Sequence, residues 1–444
     1  MIDFWVQTIV AFYEVVVLPM EENLKLFLMK FIPFIIFFEV PVYLLIIVGV
    51  MRYGFKRYVH RPRRVPYYPK VSCVVLCYAE GEAVSSSIVS LSEQIYPGSI
   101  EIVAVIDGAS KNRKTYDAVR ALEGYVSEKA LRDIRIIPKW QRGGRVSSIN
   151  SGVKVASGEI VMVVDADTSF DNNMVERATR HFIDENVVAV AGNLRVRNWK
   201  ESLVTRHQAI EYILSIYLAK IGLGEFNLLN NVSGAFGVFR KSFVEKIGFW
   251  NTGTAEDLDM TLRIKNYFGR HKNLRIVFEP EAIGHTDVPG TWRGYLEQRL
   301  RWDGDLLYIY HKHFMSFSAR MVGKLNLLAL VWTGLFFQIT MPFLIYLYLC
   351  YSLFFYGAVF TAALSLLAYL FYFAVTCLFF IIFLFWISER KEEDMKLVPM
   401  LFLYPVFAFF MRLWSGVALA REVVINAHLD SSMAPWWVLK KSDI

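Results

Sequence analysis

Residues 159–167 read EIVMVVDAD. After Glu159, positions 160–164 are apolar and largely β-branched without alternation, the pattern of a strand covered on both faces. The run ends in two carboxylates, Asp165 and Asp167, one residue apart. Such a pair can share one divalent cation, or one acid can hold metal while the other meets a ribose or phosphate. Mg2+ and Mn2+ suit this arrangement, because they take oxygen ligands and complete their shell with substrate phosphates. A bare Asp-x-Asp also serves as a turn or a helix N-cap. The flanking segments decide between these readings.

Upstream, residues 71–78 (VSCVVLCY) and 100–106 (IEIVAVI) are two further unalternating strand runs. A polar helix over 83–94, closed by Tyr96-Pro97-Gly98, separates them. A helix over 114–131, a strand at 134–137 and a helix over 146–156 complete the approach to Asp165. Strands alternating with helices imply a Rossmann-like α/β domain with a mostly parallel sheet. Ligands bind such sheets outside the carboxyl ends of the strands. Tyr78, Asp107 and Asp165 stand at those ends, so three strands deliver polar groups to one rim. Asp107, followed by Gly108, is also a common turn former.

Three further stretches lie downstream. In NVSGAFGVFR (231–240), Ser233-Gly234 reads as a tight loop opening a strand. In WNTGTAEDLDM (250–260), Glu256-Asp257 opens a helix expected over 258–267. An acid pair there complements the helix dipole or supplies a general base. Residues 298–305 read QRLRWDGD and sit just before a long apolar tract. An Arg–Trp pair is either surface packing or a phosphate clamp beside a sugar platform.

The chain has 444 residues, a mean hydropathy of +0.36 and 55% hydrophobic residues, too apolar for an ordinary soluble protein. Residues 325–386 contain no Asp, Glu, Lys or Arg. A span takes about 20 residues, so this run holds two or three. Residues 397–411 would add another, and residues 31–51, interrupted by Glu39 and Pro41, read as a span. Residues 1–20 form either a first span or an interfacial helix, and lack the basic start and small-residue cleavage site of a signal peptide. Arg52, Lys56, Arg57, Arg61, Arg63, Arg64 and Lys70 follow with no intervening acid. Positive loops stay inside, so the globular domain is expected in the cytosol, attached to the cell membrane. The net charge of +7 then reflects orientation and contact with the lipid bilayer, and no nucleic-acid partner is expected. The expected organisation is membrane segments over 1–52, a catalytic domain over 66–305, an amphipathic interfacial linker over 306–324, three or four spans within 325–420 and a tail from 421. In that tail Trp436-Trp437 before Lys440-Lys441 reads as an interface anchor. The side on which ISERKEEDMK (387–396) falls depends on whether 325–386 holds two or three helices. Cys73, Cys77, Cys350 and Cys377 have no metal-site spacing and read as packing residues. Asn231-Val232-Ser233 matches a glycosylation acceptor, a use that cytosolic placement excludes.

Taken in order, the lone Asp, Asp-x-Asp, Glu-Asp and Gln-x-x-Arg-Trp motifs resemble family 2 glycosyltransferases of the inverting GT-A type. They are most similar to the membrane-embedded processive branch, the cellulose, hyaluronan, chitin and poly-N-acetylglucosamine synthases. The resemblance covers roughly residues 71–305. It implies that Tyr78 and Asp107 contact the uracil of a UDP-sugar, by stacking and by accepting from the ring N–H. Asp165 would sit near ribose and diphosphate, and Asp167, with Asp165, would hold Mg2+ or Mn2+. Asp257 would be the general base for the acceptor hydroxyl. Gln298 and Arg301 would close over the diphosphate, and Arg145, where the family commonly has Lys, would retain a phosphate-binding cation. Trp302 would stack on the acceptor sugar, beside the Ser233-Gly234 loop. The chain departs from the family pattern at Ala79, where Asn is usual, and at Ala255, where Thr is frequent. The expected function is transfer from a UDP-sugar to a growing polysaccharide, with secretion through the protein's own channel. The alternatives are single transfer to a glycolipid acceptor and a decayed, non-enzymatic membrane component. Retention of Asp107, Asp165, Asp167, Asp257 and the Gln-x-x-Arg-Trp motif argues against decay.

Overall fold

A computed structural model describes residues 2–23, 35–59 and 66–426. Arg61, Arg63 and Arg64 of the basic cluster, part of the 31–51 stretch and the Trp436-Trp437 and Lys440-Lys441 anchor lie outside them.

The unalternating runs are the centre of the sheet. Strands β1 (Val71–Cys77), β2 (Ile100–Asp107), β3 (Arg132–Lys139) and β4 (Ile160–Asp165) pair in parallel in the order β3-β2-β1-β4. Every residue of β1 and β2 is buried. This burial, with a free Cys73 and Cys77 in β1, is why they read as continuous apolar runs. The expected helix over 114–131 is instead two short helices, Arg113–Arg120 and Glu123–Ser127.

The sheet continues as β4-β7-β6-β8-β5. Its added strands are β5 (Ser169–Phe170), β6 (Val187–Val196), β7 (Phe236–Arg240) and β8 (Arg275–Thr286). β7 is antiparallel to both β4 and β6, and β5 to β8, so the sheet is mostly parallel with two reversed strands. The reversal matters for the site. Because Val164 pairs with Phe236, the loop opening β7 lies beside the carboxyl end of β4.

Among the described residues three helical segments are long and apolar enough to cross a membrane: Asp3–Asn23, Phe37–Val59 and Lys324–Ile387. The first begins as α1 (Ile2–Phe12), and the second contains α2 (Val40–Val59). The third contains a long helix (Met341–Ile382) broken at Gly357, whose φ of 79° and ψ of 176° leave helical geometry. Ser352 and Thr361, nine residues apart across that break, are 2.9 Å apart through their hydroxyls. A continuous helix would separate them by about 13 Å. The segment therefore doubles back as a hairpin of two passes. Its return places residues 388–397 against the catalytic domain. There Arg195 of β6, 4% exposed, pairs with Asp394 at 2.6 Å and Glu389 at 3.0 Å, and the Tyr217 hydroxyl donates to Glu389 at 3.0 Å. ISERKEEDMK thus lies on the catalytic side.

Two expected boundaries move. Residues 397–411 are not one element: that stretch divides between a 3-10 turn, Val398–Phe402, and the start of a helix over Tyr404–Ile425. Nor is there a break at 305, because one helix runs from Trp292 to His313 and carries the Gln-x-x-Arg-Trp motif in its middle. The two helices pack together, with the Trp414 indole N–H donating to the Leu296 carbonyl and Ser415 bonded to Asp303.

The span α2 is seated on the domain through glycine. A Cβ on Gly49 would lie 2.1 Å from the carbonyl oxygen of Gly222, in the helix Ala219–Gly224. At the basic end of α2, Arg52 and Lys56 pair with Glu225, and Arg57 pairs with Glu281. These ion pairs are half-exposed and each contributes little. The backbone contact is what requires a residue without a side chain. Gly49→Ala should push the two helices apart and cost about 1–3 kcal/mol through overpacking, read as a lower melting temperature in detergent. An unchanged melting temperature would show that the crossing is loose.

Candidate active site

The rim at the carboxyl ends of β1, β2 and β4 is organised around Arg145, in the first turn of the helix Gly144–Val155. Its guanidinium donates to Asp165 Oδ1 at 2.6 Å, to the Gly234 carbonyl at 2.9 Å and to Glu256 Oε1. Arg145 thus ties the Asp-x-Asp strand end, the Ser233-Gly234 loop and the Glu-Asp pair into one constellation. The Lys-like phosphate cation expected at this position is instead committed to protein groups. Burial alone would lower its pKa, but Asp165 and Glu256 outweigh it and hold the group charged. A Cβ on Gly234 would fall 2.8 Å from Glu256 Oε1 and 3.2 Å from Arg145, so any side chain there would displace the Arg145–Glu256 pair.

Asp257 accepts from three donors: Gly234 N–H at 3.0 Å, Asn231 Nδ2 at 3.0 Å and Leu258 N–H at 2.7 Å. These bonds fix its direction at the start of the helix Glu256–Lys265. The preceding Ala255 is left-handed, with φ of 44°, which turns the chain sharply into that helix. Half-buried Lys220 feels the charge of the same acid. Burial lowers Lys220 to about 8, while the charge of Asp257 opposes the shift.

Asp167 is different in kind. Its one side-chain hydrogen bond among the described residues comes from Thr168 at 3.2 Å. Burial and then the neighbouring Asp165 raise its pKa, so the two acids hold excess negative charge. No group of three or more His, Cys, Asp or Glu side chains poised for a metal occurs among the described residues. Asp165 and Asp167 are the two carboxylates at this strand end. That donor set fits Mg2+ or Mn2+ completed by phosphate oxygens.

The nucleotide side departs from expectation. Asp107 is 4% exposed, and its carboxylate accepts from Gly143 N–H at 2.7 Å, Gly144 N–H at 2.9 Å and Lys139 Nζ at 2.7 Å. It anchors the helix start that carries Arg145 instead of presenting an open acceptor to a base. Tyr78 is exposed, with the Arg142 guanidinium 4.4 Å from its ring centroid. Glu80 accepts from the Tyr78 and Ala79 amides, and burial raises its pKa, with Asp167 and Asp165 adding to the effect.

On the helix Trp292–His313, Arg301 is exposed and forms no hydrogen bond or ion pair among the described residues. Trp302 is 42% exposed, with Arg299 4.5 Å from its ring centroid. Arg299 also pairs with Glu211 at 2.7 Å. Tyr212 is raised to about 12 by burial and feels Arg299, Glu211, Asp165 and Asp167. The motif helix and the Asp-x-Asp acids therefore surround one residue. Gln298 is partly buried, and no direct contact joins it, Arg301 or Trp302 to Asp165, Asp167 or Asp257. Asn231, Arg299, Lys139 and Lys220 were not singled out from the sequence. Asn231 and Arg299 lie inside quoted motifs, at positions where only the folded geometry shows a partner.

This α/β rim, with a paired-acid strand end and a membrane-bound helical part, defines a nucleotide-sugar-transferase type of fold. Residues 72–248 match the model of glycosyl transferase family 2, so the chain carries a domain of that family. The poly-beta-1,6-N-acetyl-D-glucosamine synthase of Staphylococcus epidermidis is 30% identical over 63% of this chain and 64% of its own length. A probable glycosyltransferase, YdaM, of Bacillus subtilis is 28% identical over 71% of this chain and 72% of its own. The matched region spans just under two thirds of the synthase. A mannosyltransferase structure from Pyrobaculum calidifontis, in complex with GDP-Man and Mn2+, aligns over 87% of this chain and 99% of its own, with a TM-score of 0.55 and 18% identity. That likeness establishes the GT-A type of fold.

Replacing Arg145 tests the constellation. Arg145→Met leaves Asp165 and Glu256 facing each other without a cation, and should cost about 3–5 kcal/mol, as for a broken buried pair. Arg145→Lys should recover only part of this, since a point charge cannot bridge three acceptors. Melting curves of the two variants that overlay the wild type would exclude the role.

Proposed function

We propose that the protein is an inverting glycosyltransferase that moves a sugar from a UDP-sugar to a growing polysaccharide at the membrane. The observation that carries this reading is the convergence of Asp165 of the Asp-x-Asp pair, the Ser233-Gly234 loop and the Glu-Asp pair on one partly buried arginine. The similarity to poly-N-acetylglucosamine synthases supports UDP-N-acetylglucosamine as the first donor to test. GDP-mannose belongs in the same panel, since the aligned mannosyltransferase binds it.

In this reading Asp257 takes the proton from the acceptor hydroxyl as that oxygen attacks the anomeric carbon. The bond to the departing nucleoside diphosphate breaks on the opposite face, so the anomeric configuration inverts. Asn231 and Gly234 aim the carboxylate. Asp165 and Asp167 would hold the divalent cation, which when bound supplies positive charge to the leaving diphosphate. Arg301 and Gln298 meet the diphosphate, where a guanidinium fork suits phosphate oxygens. Tyr78 stacks on the base. Trp302 receives the acceptor, and the spans anchor the enzyme with its catalytic domain in the cytosol. Secretion of the product follows from the same reading, and a lipid-linked acceptor is the competing one. Product size after incubation with donor and Mg2+ or Mn2+ separates them, because a single transfer gives no ladder.

Asp257→Asn should keep donor affinity and lower turnover by about 10²–10⁴, the usual effect of losing a general base. Asp167→Ala should instead remove the metal dependence of donor binding. Turnover near normal in the first variant, or metal-dependent affinity in the second, would refute the assigned role.

Because Trp302 is substantially exposed, Trp302→Ala should leave the melting temperature almost unchanged while acceptor-dependent transfer is lost. Trp302→Phe should retain part of the rate, since a smaller aromatic face still stacks. A stable Ala variant that elongates normally would remove Trp302 from the acceptor site.

A further inference from the structure

Asp305 lies one helical turn beyond Trp302. Gln298, Arg301, Trp302 and Asp305 fall at i, i+3, i+4 and i+7, so they share one stripe of the helix Trp292–His313. Asp305 is 8% exposed, and its carboxylate accepts from the hydroxyl of Thr254, itself 3% exposed. Thr254 stands just before the left-handed Ala255 that turns the chain into Glu256 and Asp257. The Thr252 hydroxyl holds the same segment by donating to the Thr254 carbonyl at 3.1 Å. A second tie follows along the helix, where Lys312 Nζ and His313 Nε2 meet Asp259 Oδ1 at 2.7 and 2.8 Å. The motif helix is therefore fastened to the Glu-Asp segment on both sides of the pair.

We propose that Asp305 is a positioning residue for glycosyl transfer: through Thr254 it fixes the turn that delivers Asp257 against the helix stripe bearing Gln298, Arg301 and Trp302. This rests on the roles given above to Asp257 and Trp302. In direct displacement, base and acceptor must be aligned to within a fraction of an ångström, and small misplacements cost large factors in rate. The two groups reside on segments about 50 residues apart in sequence, and this buried bond joins those segments next to the left-handed turn.

The surroundings of Asp305 give the latch a pH response. Glu256 faces it from the helix it opens, Glu422 from the helix Tyr404–Ile425, and Arg301 from its own helix. Burial and the two acids raise Asp305 to about 7, against the Thr254 bond and Arg301. The ionised carboxylate is the stronger acceptor for the Thr254 hydroxyl. The latch is thus tightest above pH 7 and loosens as the pH falls through that value.

The test uses the full-length protein in detergent, with UDP released from UDP-N-acetylglucosamine as readout. Thr254→Ala and Asp305→Ala should each lower kcat by about 10–100-fold, with the donor KM nearly unchanged. The double variant should be no slower than either single one, because both remove the same bond. Thr254→Ser should recover most of the rate. Asp305→Asn, whose amide oxygen still accepts, should keep more of kcat than Asp305→Ala and lose the ionisation near pH 7 from the rate profile. Additive losses, a folded Asp305→Ala variant with unchanged kcat, or an Asp305→Asn profile that retains the step would overturn the proposal. If Asp305→Ala does not fold, the Thr254 variants and the Asp305→Asn profile still decide. Asp257→Asn run alongside separates the two readings: its retained turnover would refute the base, whereas the 254–305 coupling is measured independently of it.

Discussion

A half-dozen carboxylates cannot share a small, partly dry rim unless something positive stands among them, and here that is the Arg145 guanidinium. Its fork reaches Asp165, Glu256 and the Gly234 carbonyl at once. The remaining geometry follows from that placement. Asp257 is aimed by the backbone of the glycine that Arg145 holds, and Asp107 anchors the start of the helix that holds Arg145. The two acids that seem most alike in sequence therefore have different situations. Asp165 already has a protein cation as partner, while Asp167 has a single weak donor and a raised pKa. A divalent cation, if held there as proposed, would relieve Asp167 most.

Chain topology makes this meeting possible. A purely parallel sheet would send the Ser233-Gly234 loop to the opposite edge. The antiparallel entry of β7 next to β4 brings it back to the carboxyl ends, where a strand start and a strand end coincide. Sequence pattern conveyed the first half of the sheet because β1, β2 and β4 are buried on both faces and read as continuous apolar runs. It conveyed the second half poorly. β6 runs antiparallel to β7 and parallel to β8, and its polar Asn193 and Arg195 are buried on partners far along the chain. No local period reveals such partners.

The site was legible to a similar degree. Asp165, Asp167, Glu256, Asp257 and the Arg-Trp pair stand out because a strand end, a helix start or an apolar boundary marks each one. Which of them is free to meet a ligand was not legible. That depends on competition for donors, and Asp107 and Arg145 are both taken by protein partners 20 or more residues away. The element boundary inside 397–411 was hidden for a related reason. Hydropathy measures the average of a stretch, and does not show that this one divides between a 3-10 turn and the start of a longer helix.

The membrane part is not merely an anchor attached to a soluble enzyme. The helix Ala219–Gly224 touches the span α2 through Gly222 on one side and carries Lys220 toward Asp257 on the other. On the far side of the sheet, Arg195 binds the turn that returns from the membrane hairpin, with Tyr217 adding a bond to Glu389. Buried ion pairs of this kind are poor sources of net stability, since desolvation consumes most of their attraction. Their directional demand is strong, and an unpaired Arg195 in that position would be costly. The hairpin and α2 thus hold the catalytic sheet from two sides at fixed orientation. Under the proposed function, a chain elongated at the Trp302 face would therefore meet the membrane segments in one relative geometry at every cycle.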